Sequence, residues 1–115
     1  MNRPNVLFVC GRNQWRGPTA ERIYKDDPRI HVRSAGVSVR SSRQVSPDDL
    51  SWADIIIVME QRYKSRILGT FRNHPKHPPI ASLEIPDEYE FMDEELIGLI
   101  REGVESNLRH EFNIE

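Results

Sequence analysis

The 115-residue chain carries one cysteine, and the residues around it are of the kind that make sulfur a nucleophile. Val6-Leu7-Phe8-Val9-Cys10 is short, β-branched and aromatic, the pattern of a strand buried on both faces. Gly11, Arg12, Asn13, Gln14, Trp15, Arg16 and Gly17 follow as a polar loop bounded by glycines. Pro18-Thr19-Ala20-Glu21 predicts a helix, with proline at its first position, where a missing N–H costs nothing. Backbone N–H groups in such a loop can converge on one anion, and the helix dipole adds to their pull. The same field favours the nucleophilic thiolate over the thiol. Arg16 closes the loop, and its planar fork suits two oxygens of a phosphate. Each part serves phosphoryl transfer to sulfur. A lone intracellular cysteine is most often a small buried hydrophobe; the arginine spacing, the glycines and the helix start favour the reactive reading.

These residues need a scaffold, and the rest of the chain predicts one. Ile30 to Ser34 alternates like a strand and stops at Ala35-Gly36, and Ser46-Pro47-Asp48-Asp49 resembles a capped helix start. Ala53 to Met59, with Ile55-Ile56-Ile57-Val58 at its centre, is the strongest strand signal. A helix follows in which Tyr63, Ile67 and Phe71 repeat at four-residue spacing. His74 to Pro79 is loop, since its three prolines forbid regular pairing, and Ile80 to Ile85 is a last strand ended by Pro86. From Asp93 the chain turns helical, with Leu96, Leu99, Ile100, Val104 and Leu108 on one face. The alternation of strand and helix implies a parallel, doubly wound sheet. Ligands in such sheets bind beyond the carboxyl ends of the strands, where the loop after Cys10 and the segment after Ile85 both lie.

Val6 to Cys10, Asn13 and Arg16-Gly17-Pro18-Thr19-Ala20-Glu21 resemble the opening of the low-molecular-weight protein tyrosine phosphatases. That family's signature is a cysteine, five residues, an arginine, then serine or threonine and proline. The resemblance continues through Ser34-Ala35-Gly36, Ala53 to Met59, Ile85-Pro86-Asp87-Glu88-Tyr89 and the final helix. It implies a single domain over residues 1–115 with an α/β fold. The expected form is a small, flavodoxin-like, four-stranded parallel sheet of order 2-1-3-4 with flanking helices. It also implies roles. Cys10 would attack phosphorus and carry a phosphocysteine intermediate. Arg16 and the loop N–H groups, Gly11 to Gly17, would hold the equatorial oxygens. Asn13 matches a residue that stabilises the unusual loop backbone. Asp87 would protonate the leaving phenolate and then activate water. Trp15 and Tyr89 would form the substrate rim, although Trp15 suits equally a place beneath the loop; Phe91 is divided between rim, core and surface. The substrate implied is a phosphotyrosine protein or small aryl phosphate. Inorganic phosphate or sulfate would fit the loop, and no metal or cofactor is called for.

The chain departs from the family pattern in three places. Gly17 replaces the serine or threonine whose hydroxyl donates to the thiolate. A hydrogen bond to a charged group contributes about 1.5–3 kcal/mol, so its loss is expected to slow turnover by roughly ten- to a hundredfold. Gly11-Arg12 stands where the family has a variable residue and then glycine, and Arg12 is expected to point outward. Between Gly36 and Ser46 the chain is short, so that a helix and part of the pocket rim are expected to be missing. Gly17 makes a catalytically impaired phosphoprotein- or anion-binding module on the same fold the main alternative.

Composition bounds the remaining classes. No apolar run approaches the ~18 residues that span a bilayer, and the start, MNRPN, has no signal-like apolar stretch. One cysteine cannot form an internal disulfide, so the chain reads as reduced and cytoplasmic, and disulfide-resolved arsenate reduction is excluded. Sugar phosphotransferase IIB components also place a cysteine after a first strand, but Arg16 and Asp87 argue against that relation. The net charge of −2 gives no general case for nucleic acid. It conceals a gradient: residues 1–45 carry nine Lys/Arg against three Asp/Glu, and residues 84–115 carry two against eleven. Most of these charges read as solvated surface. His74 and His77, in their proline-rich loop, also read as solvated, His31 and His110 as surface, and Tyr24, Trp52 and Tyr63 as packing.

Overall fold

The computed structural model describes residues 3–115; Met1 and Asn2, the beginning of the polar start, lie outside them. Four strands, β1 (Asn5–Cys10), β2 (His31–Gly36), β3 (Ile55–Val58) and β4 (Ile80–Ser82), pair in parallel in the order β2-β1-β3-β4. Four helices connect and follow them: α1 (Arg16–Tyr24), α2 (Pro47–Trp52), α3 (Gln61–Thr70) and α4 (Glu94–Phe112). This is the α/β class that the alternation of elements predicts and the strand order that the resemblance implies.

The apolar runs have their physical reason in this order. β1 lies between β2 and β3, and β3 between β1 and β4, so each needs apolar residues on both faces; Val6 to Val9 and Ile55 to Val58 are all buried. Fully burying such a side chain contributes about 1.5–3 kcal/mol. α1 packs on β1, β2 and α4, while α3 packs on β3 and β4. Phe8 and Tyr24 meet with ring centroids 6.2 Å apart, and the Tyr24 hydroxyl donates to Glu105 of α4 at 2.8 Å. Arg29 joins this tie between helices through Asp27 and Glu105, both at 2.8 Å.

The caps are written in the sequence. Ser46 and Asp49 form a reciprocal capping box on α2, with Pro47 in its first turn. Asp93 accepts from the N–H groups of Glu95 and Leu96 at the start of α4, and Asn113 ends that helix in the left-handed conformation, φ 55°.

Several boundaries differ from expectation. α1 starts at Arg16, which makes Pro18 its third residue rather than its first. The first four N–H groups of a helix have no partner within it, so proline is accommodated there as well. β2 runs on to Gly36, and β3 is confined to Ile55–Val58. β4 ends at Ser82 instead of Ile85 because Glu84 adopts φ 53° and kinks the chain. Hydrogen bonds from Leu83 to Val58 O and from Ile85 to Met59 O keep the kinked segment on β3. Leu99 leaves the buried face of α4: Leu96, Ile100, Val104 and Leu108 are fully buried, whereas Leu99 is 37% exposed.

Candidate active site

All four strands send their carboxyl ends into one region, and the loop after β1 forms its centre. The loop backbone is held from outside by its carbonyls. Val37 N–H donates to Cys10 O at 3.1 Å, and Ser38 N–H to Gly11 O at 2.9 Å. Ser41 Oγ donates to Gly11 O at 3.3 Å, and Ser42 Oγ to Asn13 O at 3.1 Å. These four donors belong to one strap, residues 36–45, closed on itself by Gly36 N–H to Arg43 O and Val45 N–H to Gly36 O. The short 36–46 region, which as expected holds no helix among the described residues, laces the loop in place.

With the carbonyls drawn to the strap, the N–H groups of Gly11 to Gly17 donate to no acceptor among the described residues. Asn13 sits at φ 53°, the left-handed conformation that asparagine tolerates better than most residues. Such a residue inside a loop leading to a helix N-terminus makes an anion-binding concavity of successive N–H groups. Cys10, at the end of β1, is 98% buried and unpaired. Its sulfur lies beside Gly17: a Cβ there would come within 3.2 Å of Sγ and 3.0 Å of Asn13 Oδ1.

Arg16 is 98% buried, and three of the five guanidinium N–H donors are bonded within the protein. Nη1 donates to Glu60 Oε2 at 2.6 Å and to Ile85 O at 2.7 Å; Nη2 donates to the Tyr63 hydroxyl at 2.8 Å. The two remaining donors, on Nε and Nη2, share one edge of the plane. Nε is buried without a hydrogen bond, and Asp87 Oδ1 stands 3.6 Å from it. Burial works against the Arg16 charge, but the hydrogen bonds to Glu60 and Tyr63 outweigh it and raise the pKa above the arginine norm. Burial likewise disfavours the Glu60 carboxylate, yet bonds from Arg16, Tyr63 and Arg62 bring its pKa below the ordinary range.

The segment carrying Asp87 is fastened at both ends. Ile85 bonds Met59 and Arg16, and Met92 N–H donates to Thr19 Oγ1 of α1 at 2.9 Å. Asp87 itself is 58% exposed. The structure thus brings Asp87 to Arg16, and Cys10 to Asn13 and Gly17. Arg12, Gln14 and Trp15 lie exposed on the outer part of the loop, Trp15 at 39%. Tyr89 is half-buried against the core, and Phe91 is 50% exposed.

Solved structures share this fold along nearly the whole chain. A low-molecular-weight protein tyrosine phosphatase from Streptococcus pyogenes superposes with a TM-score of 0.76 at 21% identity, covering 95% of this chain and 93% of that one. The fold is that of the low-molecular-weight protein tyrosine phosphatases. The tyrosine phosphatase Wzb from Escherichia coli K30, in complex with phosphate, covers 96% of this chain and 99% of its own (TM-score 0.69, 19% identity). The YwlE arginine phosphatase from Geobacillus stearothermophilus covers 97% and 99% (TM-score 0.62, 19% identity). No family model and no curated protein sequence matches the chain.

On this phosphatase fold, four side chains of the site were not singled out for it by their sequence context. Glu60 lies two residues beyond β3, at the carboxyl end of a strand, and that position is its only signal. Tyr63 reads as core and is 5% exposed, yet a buried tyrosine hydroxyl requires a partner, here Arg16 and Glu60. Ser41 and Ser42 carry no local signal. His74 contacts Ser51 and the Lys76 carbonyl, and no group of three metal-ligating side chains forms among the described residues. None of the helices described is long and apolar enough to cross a membrane.

Proposed function

We propose that the protein is a cysteine-dependent phosphomonoesterase that hydrolyses phosphotyrosine or related aryl phosphates through a phosphocysteine intermediate. One observation carries the reading: the unpartnered N–H groups of Gly11 to Gly17 and the unpartnered, buried Nε of Arg16 belong to one loop that starts at a cysteine. The loop and Arg16 bind the phosphoryl oxygens. The Cys10 thiolate attacks phosphorus; an S–P bond forms as the P–O bond to the aryl group breaks. Asp87, as a carboxylic acid, gives its proton to the departing phenolate. The resulting carboxylate then takes a proton from water, whose oxygen attacks phosphorus. The S–P bond breaks, inorganic phosphate leaves, and the thiolate returns. The 3.6 Å separation of Asp87 Oδ1 from Arg16 Nε supports a carboxyl group close to the reacting phosphoryl group. Trp15 and Tyr89 flank the aryl ring.

Gly17 favours a second reading, a phosphoprotein- or anion-binding module, because no hydroxyl stands there to stabilise the thiolate. The experiment is turnover of an aryl phosphate by the purified protein, with Cys10→Ser and Asp87→Ala beside it. Phosphoarginine belongs in the same assay, since an arginine phosphatase shares the fold. Turnover lost in Cys10→Ser supports the enzyme. Turnover retained in that variant overturns the mechanism, and phosphate binding without turnover establishes the binding module.

A further inference from the structure

The Tyr63 hydroxyl touches every part of the hold on Arg16 except the Ile85 carbonyl. It accepts from Arg16 Nη2 at 2.8 Å and donates to Glu60 Oε2 at 2.9 Å, while Glu60 Oε2 accepts from Arg16 Nη1 at 2.6 Å. The three groups close a ring of hydrogen bonds around the end of the guanidinium that is opposite its free edge. Arg62 supports the ring from outside, donating to Glu60 Oε1 at 3.1 Å and to the Tyr63 hydroxyl at 3.3 Å. The aromatic ring adds a second contact, with the Arg16 Cζ 5.5 Å from its centroid. The same hydroxyl also bounds the phosphate loop: a Cβ on Gly11 would lie 3.0 Å from it. Tyr63 is thus in contact distance of both ends of the loop, Gly11 and Arg16, from helix α3.

We propose that Tyr63 is a positioning residue for Arg16, whose hydroxyl, together with Glu60, fixes the guanidinium so that its Nε edge stays turned to the bound anion. This rests on the reading of the loop as a phosphate site. Arginine left to itself rotates about several bonds, and each rotamer that turns the edge away costs affinity for a planar, two-point contact. Occupying Nη1 twice and Nη2 once removes those alternatives without using the two donors the phosphate needs. The glycine at position 11 suits the same contact, since an added Cβ would press on the hydroxyl at 3.0 Å and require it to give by a few tenths of an ångström.

The test is calorimetric titration of inorganic phosphate into the wild type, Tyr63→Phe, Arg16→Ala and the double variant. Tyr63→Phe is expected to weaken phosphate about tenfold, the loss of one charge-assisted hydrogen bond, and to add nothing in the Arg16→Ala background. Unchanged affinity in Tyr63→Phe, or an equal loss with and without Arg16, overturns the proposal; the latter outcome marks a general loosening of the fold. A wild type that binds phosphate but hydrolyses nothing refutes the enzyme reading alone, because the readout is binding. A wild type that binds no phosphate refutes both. If Tyr63→Phe does not fold, guanidinium NMR of the wild type takes its place: slow rotation of Arg16 about the Nε–Cζ bond, with Nε–H shifting on addition of phosphate, supports the hold. Fast rotation overturns it.

Discussion

The sulfur of Cys10 lies so close to Gly17 that a Cβ added there would stand 3.2 Å from it and 3.0 Å from Asn13 Oδ1. Both contacts are tighter than ordinary packing, so position 17 has two properties to separate: room and a hydroxyl. Gly17→Ala adds the crowding alone and should slow aryl phosphate turnover. Gly17→Ser adds the same Cβ with a donor that can serve the thiolate or the unpartnered Asn13 Oδ1, and should exceed Gly17→Ala by about tenfold. Steady-state kcat for the two variants checks this, and equal rates refute a role for the hydroxyl.

Asp87→Ala should lower kcat on an aryl phosphate by about a hundredfold or more, within the span of general acid–base effects. The loss should shrink with a better leaving group, whose phenolate needs no proton. Cys10→Ser should abolish turnover and retain phosphate binding, as measured by titration.

Glu60 gives an acid limb to stability. Its pKa is lowered in the folded protein despite burial, through Arg16, Tyr63 and Arg62. Its stabilising contribution is therefore complete above the ordinary carboxylate range and is lost as pH falls through the depressed value. The melting temperature of wild type should exceed that of Glu60→Gln near neutral pH, and the gap should close in strong acid. A gap constant with pH contradicts the assignment.

The strap depends on Asp49, which is fully buried, caps α2 with Ser46 and pairs with Arg43 of the strap and with Arg33. Asp49→Ala should cost about 2 kcal/mol or more, since it removes half of the capping box and a buried carboxylate paired with two arginines, and should also weaken phosphate. Ser41→Ala/Ser42→Ala should weaken phosphate with a smaller loss of stability. Denaturant melts and phosphate titrations measure the two effects separately.

The parts legible in the sequence are those set by local pattern. Val6 to Val9 and Ile55 to Val58 announce central strands because two buried faces demand apolar runs, and Ser46 announces a cap because its side chain bonds an N–H group three residues on. Cys10 and Arg16 were legible because one short loop contains both. The end of β4 was not, since glutamate gives no warning of φ 53° at position 84. Leu99 was misplaced because it follows the helical spacing yet falls just beside the line of Leu96, Ile100, Val104 and Leu108. Glu60, Tyr63, Ser41 and Ser42 escaped notice for a different reason: their partners lie roughly thirty to fifty residues away, and only the closed sheet brings them together.

At Gly36, where β2 ends, the loop crosses directly above the strand. An added Cβ would sit 2.8 Å from Asn13 N and 2.9 Å from the Arg12 carbonyl carbon, and would collide with Ser41 Oγ. The height of the loop above the sheet is thus set by a missing methyl group. A single carbon at position 36 would lift the loop and unlace the strap together, without altering any residue of the loop itself. The site has a foundation as well as walls, and the foundation tolerates no added thickness.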